Sequence, residues 1–165
     1  VDCYIALGTN LGDLGRNLLA GLHGLRRFDL DPAAVSSVWE TEPVDAPTGE
    51  WFWNMVVMVR SDRRPLDLLE VLLRIEHDHG RIRRARNEPR TLDLDLLMMG
   101  DLVVSDGRLS LPHPRMWQRR FVLEPLSEIA PLLRNPLTGR TVRQELSEIG
   151  DGFRVRKLGD LESCR

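Results

Sequence analysis

The stretch WFWNMVVMVR, Trp51 to Arg60, decides how the rest of the chain must be arranged. Ten residues without glycine or proline, rich in valine and aromatic side chains, read as a strand. Alternation places Trp51, Trp53, Met55, Val57 and Val59 on one face, and Phe52, Asn54, Val56 and Met58 on the other. Both faces are apolar, so the strand is expected at the centre of a sheet, covered on both sides. Asn54 is its one uncharged polar residue, placed where a buried amide needs partners.

Working outward, Pro65 to His79 reads as the strongest helix. Pro65 suits its first turn, Leu66, Leu69, Leu72, Leu73 and Ile75 form its apolar stripe, and Gly80 ends it. Upstream, Cys3 to Leu7 reads as a strand stopped by Gly8. Asp13 then caps a helix carrying Leu14, Leu18, Leu22 and Leu25. Val35 to Glu40 reads as one strand, and Pro43 to Gly49 as a loop. Thr91 to Leu97, TLDLDLL, reads as another strand. Beyond it, Gly100 to Gly107 suggests a turn, with Leu102 to Val104 in one arm of a hairpin. A short helix is expected over Phe121 to Ile129. Capping-box spacing at Thr141 and Gln144 starts a last helix running to Gly150. The order β-α-β-β-α-β implies an α+β, ferredoxin-like core: a mostly antiparallel sheet with helices on one face, plus C-terminal additions. That fold hosts many activities, so function must come from a site.

The 165 residues suit a single domain spanning 1–165, and 42% hydrophobic with 29% charged residues is ordinary for a folded globule. No apolar run reaches the roughly 18 residues a membrane span needs. Tyr4-Ile5-Ala6-Leu7 has no basic segment before it, unlike a signal peptide. Cys3 and Cys164 have no metal-type spacing, which fits a reducing cytoplasm. A net charge of −2 gives no general pull toward nucleic acid.

Chemistry concentrates near TLDLDLL. Residues i and i+2 of a strand lie about 6.6 Å apart and point the same way. Asp93 and Asp95 can therefore converge while Leu92, Leu94 and Leu96 pack behind them. Two such carboxylates repel unless cations lie between them, and magnesium favours hard oxygen ligands together with substrate phosphates. Immediately upstream, RIRRARNEPR holds Arg81, Arg83, Arg84, Arg86 and Arg90, the donors that phosphate recognition uses. Carboxylates facing water and arginines on a solvated loop are the plain alternative. Gly8 to Gly15, GTNLGDLG, matches neither a P-loop nor a dinucleotide fingerprint. His77 and His79 flank Asp78 but cannot face each other on a helix, so a solvated helix end is expected there. His113 lies between two prolines in LPHPR.

Together, YIALGTNLGD, ETEP, WFWNMVV, RIEHDHGRIRRARNEPRTLDLDLL and LPHPRMWQRRFVLEPLSEIAP resemble the 6-hydroxymethyl-7,8-dihydropterin pyrophosphokinase family of folate biosynthesis. The resemblance covers most of the first 131 residues. It implies transfer of pyrophosphate from ATP to the pterin hydroxymethyl group, with release of AMP. It implies two Mg2+ ions on Asp93 and Asp95, charge stabilisation by Arg81 and Arg90, and a nucleotide held by Arg83. Glu76 would lie near the adenine, and Arg108, Ser110, His113 and Arg119 would contact ATP. Thr41, Val44, Phe52, Asn54 and Phe121 match the pterin pocket. Two aromatic walls suit a flat pterin, and Asn54 offers a donor and an acceptor to its amide-like edge. Asn87 and Glu88 stand where the family commonly has Trp-Gly, in a loop one residue shorter, and no role carries over to them. Small-molecule substrates, no nucleic-acid or membrane partner, and a monomer are expected. A ferredoxin-like module binding RNA through Arg81 to Arg90 is the competing reading; Asp93 and Asp95 would repel that backbone.

Overall fold

The fold is that of a computed structural model, which describes residues 1–42, 50–79, 91–150 and 154–164. The expected β-α-β-β-α-β order is present with one additional strand, as β1 (Asp2–Thr9), α1 (Leu14–Arg27), β2 (Pro32–Val35), β3 (Val38–Thr41), β4 (Phe52–Arg60), α2 (Pro65–Asp78) and β5 (Asp93–Met99). After it come β6 (Val104–Ser105), β7 (Ser110–Leu111), α3 (Arg120–Ile129), α4 (Val142–Glu148) and β8 (Val155–Gly159). The main sheet runs β5-β1-β4-β3-β8, with β2 also paired to β4. Every pairing in it is antiparallel. β4 is central, as its two apolar faces require.

Several expectations are corrected. Val35 to Glu40 is two strands rather than one. Ser36 breaks the run because its Oγ accepts the Val56 N–H at 2.9 Å, substituting a side-chain acceptor for a ladder carbonyl. β1 continues through Gly8 to Thr9, because Gly8 pairs with Asn54 on one side and Asp93 on the other. β5 starts at Asp93, not Thr91, and runs to Met99 with a register shift near Leu96. The hairpin arm is Val104–Ser105, paired with Ser110–Leu111. β8 lies in a segment with no strand expectation and pairs with β3.

Two other features match. Asp13 caps α1 through the Arg16 N–H at 2.9 Å, and the Thr141–Gln144 capping box is formed. The Gly80 stop and the Pro43 to Gly49 loop lie outside the described residues.

The expected core has α1 and α2 on one face, and the C-terminal additions put α3 and α4 on the other. On the first face Cys3, Ile5 and Leu7 of β1, Met55, Val57 and Val59 of β4, and Leu94 and Leu96 of β5 pack beneath α1 and α2. On the second face Tyr4, Val56, Leu97 and Met98 pack against Val122, Leu123 and Leu126 of α3 and Val142 of α4. The C-terminal additions are thus the second cover of the central strand. Among the described residues no helix is long and apolar enough to cross a membrane.

Candidate active site

The second cover is incomplete. Along the second face of β1, Tyr4 is buried while Ala6 and Gly8 stay partly open. Facing pairs in an antiparallel sheet share a face, so the register defines what surrounds these small residues. One row across the sheet reads Asp93, Gly8, Asn54, Trp39. The next reads Asp95, Ala6, Val56. Thr41 stands opposite Phe52. A floor of glycine and alanine therefore separates two carboxylates at the β5 side from an amide, a hydroxyl and an aromatic ring at the β3–β4 side. Two strand spacings, roughly 9.6 Å, separate Asp93 from Asn54.

The floor has to be small. A Cβ on Gly8 would lie 3.1 Å from Asn54 Oδ1, closer than ordinary contact. Asn54 is itself buried, and its Nδ2 donates to Thr41 Oγ1 at 3.0 Å. That bond orients the amide and answers the cost of placing it in an apolar strand. Phe52 is half-buried at the rim.

Asp93 and Asp95 are both half-buried, whereas Leu92, Leu94 and Leu96 are buried behind them. The alternation is the one the sequence requires. His113 sits beside this pair: its backbone N–H donates to Leu97 O at 2.8 Å, which holds it against β5. Burial pushes its imidazole below the ordinary histidine range. The Asp95 charge pulls in the opposite direction, and Arg119 and Arg115 reinforce the lowering. The Arg115 N–H donates to Nδ1 at 3.2 Å, so neutral His113 carries its proton on Nε2 and presents a donor. Arg119 lies over the Phe121 ring, 5.5 Å from its centroid, at the start of α3. Asp95, His113, Arg119 and Phe121 thus form one connected group above the floor.

Three expected residues stand apart. Glu76 is buried on α2, and its Oε1 accepts the Leu94 N–H at 2.7 Å, which satisfies a backbone donor of edge strand β5. Arg108 is exposed and pairs with Glu70 of α2 at 3.1 Å. Ser110 is half-buried in the short strand β7. Val44 and Arg81, Arg83, Arg84, Arg86 and Arg90 lie outside the described residues.

Sequence reasoning missed three participants. Gly8 and Ala6 were legible in principle, since alternation in β1 puts them opposite the buried Ile5 and Leu7. Trp39 shares the Asn54 row, and its indole N–H donates to Glu128 of α3, which also accepts the Ser37 N–H. Only the register reveals that neighbour. The His79 expectation is also corrected: its ring is half-buried, and Nε2 donates to Asn17 Oδ1 at 3.0 Å.

Among the described residues no cluster of three or more His, Cys, Asp or Glu side chains could hold a metal by itself. A cation on Asp93 and Asp95 would need further oxygen ligands from water or substrate. That donor set, hard and incomplete, fits magnesium on a polyphosphate better than a closed structural ion.

Comparison with known proteins agrees with this layout. A family model described as 7,8-dihydro-6-hydroxymethylpterin-pyrophosphokinase matches residues 4–131. The chain is 39% identical over 145 residues to the 2-amino-4-hydroxy-6-hydroxymethyldihydropteridine pyrophosphokinase of Bacillus subtilis, covering 86% of each chain. It is 40% identical over 134 residues to the protein of the same name from Pseudomonas aeruginosa, covering 81% of this chain and 83% of that one. The folic acid synthesis protein FOL1 of Dictyostelium discoideum is 34% identical over 94% of this chain, which spans only 23% of that longer protein. A solved structure of wild-type Plasmodium falciparum HPPK-DHPS with pteroate superposes with a TM-score of 0.70. It covers 89% of this chain and 44% of that one, and at 14% identity it speaks for the fold alone.

Proposed function

The chain belongs to the 7,8-dihydro-6-hydroxymethylpterin-pyrophosphokinase family, and from that premise we infer that it transfers pyrophosphate from ATP to 6-hydroxymethyl-7,8-dihydropterin in folate biosynthesis. The products are the pterin diphosphate and AMP. The observation that carries this reading is the row Asp93, Gly8, Asn54. A phosphate-handling end and a heterocycle-binding end share one open sheet face, with small residues between them.

At the heterocycle end, Asn54 offers hydrogen bonds to the pterin's amide-like edge while Thr41 fixes its orientation. Phe52 and Phe121 provide aromatic walls for a flat ring. Val44 completes the pocket on the resemblance alone. Binding there would hold the hydroxymethyl oxygen toward Gly8 and the carboxylates. Positioning of this kind supplies a large part of the acceleration in phosphoryl transfer.

At the phosphate end, Asp93 and Asp95 would hold two magnesium ions, which supply charge neutralisation to the polyphosphate. His113, neutral with a donor at Nε2, and Arg119 suit phosphate oxygens beside Asp95. Arg81 and Arg90 would stabilise charge on the transferred group and Arg83 would hold the nucleotide; for Arg108, Ser110 and Glu76, which stand apart from the carboxylates, a nucleotide-binding role rests on the resemblance alone. The hydroxyl that attacks must lose a proton, and the departing AMP gains a phosphate oxygen charge. Cationic side chains around the transferred group oppose that build-up. Residues 1–165 are read as one pyrophosphokinase domain that acts as a monomer in the cytoplasm.

Incubation with ATP, Mg2+ and the hydroxymethyl pterin should release AMP in step with pterin diphosphate. ADP as the sole nucleotide product would refute pyrophosphate transfer.

A further inference from the structure

The segment 80–90 joins α2 to β5, and a buried polar network ties its two flanks together. At one flank His79 Nε2 donates to Asn17 Oδ1 at 3.0 Å. At the other, Thr9 Oγ1 donates to the Thr91 carbonyl at 2.6 Å. Asn17 joins these bonds, since its Nδ2 donates to Thr9 Oγ1 at 3.1 Å and to Leu11 O at 2.7 Å. Asn17 and Thr9 are buried, at 8% and 0% exposure. The network draws on the end of β1, the first turns of α1, the end of α2 and the entry to β5.

Its cost argues for a purpose. An asparagine on the inner face of α1 replaces apolar packing and is tolerable only with its hydrogen bonds met. Here the bonds His79–Asn17, Asn17–Thr9 and Thr9–Thr91 form one chain that bears on the distance between residues 79 and 91, and the Leu11 carbonyl takes the remaining amide donor. Arg81 follows His79 by two residues, Arg90 directly precedes Thr91, and Asp93 comes two residues later. Fixing that distance fixes the two residues, His79 and Thr91, that flank the arginine-rich run in sequence, and how β5 presents its first carboxylate.

We propose that Asn17, with Thr9 and His79, is a positioning device for the phosphate half of the reaction, acting on the anchor points of residues 80–90. The proposal rests on the pyrophosphokinase reading given above. None of the three side chains needs to touch substrate. The side chains proposed for the pterin, Thr41, Phe52 and Asn54 of β3 and β4 and Phe121 of α3, lie outside the network, so pterin binding should not depend on it.

The test uses the full chain and separates the two halves. His79→Leu removes the ring donor, and His79→Gln keeps a donor on a side chain of similar reach. Misplacement of catalytic groups by about 1 Å costs up to about 100-fold in rate, so His79→Leu should lower kcat for AMP release by roughly 10-fold or more. Pterin affinity, measured by calorimetry without ATP, should stay at the wild-type value, and His79→Gln should recover most of the lost kcat. Asn17→Leu should repeat the His79→Leu pattern. Equal losses of kcat and pterin affinity, accompanied by a lower Tm, would reduce the network to general structural support and overturn the proposal. So would full activity in His79→Leu, or a His79→Gln enzyme no better than His79→Leu. A wild-type protein that releases no AMP defeats the functional reading itself, and this inference with it. An active wild type with an indifferent His79→Leu defeats the inference alone.

Discussion

The two faces of this sheet are built from the same strands and do opposite things. On the first face β1 presents Cys3, Ile5 and Leu7, all fully buried, to an unbroken layer of α1 and α2. On the second it presents Tyr4, which is buried, and then Ala6 and Gly8, which are only partly buried. α3 and α4 close over the Tyr4 end and leave the Gly8 end open. One face is continuous and supplies stability; the other is interrupted and supplies a cleft. Where the cover stops, water or substrate can answer the charge of Asp93 and Asp95, whereas Glu76 and Asn17 beneath the covered face are met by protein partners.

The difference can be broken most severely at the carboxylates. Asp95→Ala should reduce AMP release by on the order of 100- to 1000-fold, the scale seen when one electrostatic stabiliser is removed from an active site. The fold should stay largely intact, which a circular dichroism spectrum of the variant checks. Full activity in this variant, assayed at saturating ATP and Mg2+, would remove the metal assignment.

The first face should respond in the opposite sense. A Cβ at Gly24 of α1 would stand 2.5 Å from Ile75 Cγ2 of α2, inside the helix–helix contact. Gly24→Val therefore overpacks that layer, at a cost of about 1–3 kcal/mol. For a chain of this length each kcal/mol lowers Tm by roughly 2–4 °C. Activity per folded molecule should be unchanged. A Gly24→Val enzyme with normal Tm and impaired kcat would mean that the two faces are not separable in this way.

Asn54→Ala tests the heterocycle end. It removes the amide that Thr41 orients. A lost or unpaired buried hydrogen bond of about 1.4 kcal/mol is a tenfold effect, so KM for the pterin should rise about tenfold or more. KM for ATP should be unaffected. Equal changes in both would indicate that the cleft is not divided between β5 and β3–β4.

How much of this contrast the sequence disclosed depends on the range of the interactions. Alternation in WFWNMVVMVR identified the central strand, and alternation in TLDLDLL put both aspartates opposite the leucines. Local chemistry identified the Asp13 cap and the Thr141 capping box. Contacts between distant segments were not legible. Ser36 splits a strand by bonding to Val56, and β8 finds β3 across more than a hundred residues. Nothing local marks either event. The position of the second helical layer was not legible for the same reason, because the amphipathic pattern of α3 shows that it packs but not on which face. Local sequence implies a solvated His79 because its partner, Asn17, lies 62 residues away. The resemblance supplied site residues that geometry alone would not, while the arginines of 81–90 are known by sequence alone.

The finest test uses a single methyl group on the cleft floor. Gly8→Ala puts a Cβ 3.1 Å from Asn54 Oδ1, so the amide must shift by a few tenths of an ångström or the strand must yield. In a strand, alanine loses less backbone entropy on folding than glycine, which favours the variant by about 0.4–1 kcal/mol where the conformation is compatible. Gly8 has no positive φ that would forbid it. The two effects then separate by face and by measurement. Tm should stay level or rise slightly, while KM for the pterin rises by a few-fold, because the displaced Oδ1 meets the ring at a poorer angle. A loss of Tm with unchanged KM would mean that Gly8 is there for the close packing of β1 against β4. The opposite outcome makes it part of the binding surface, as the open end of the second face requires.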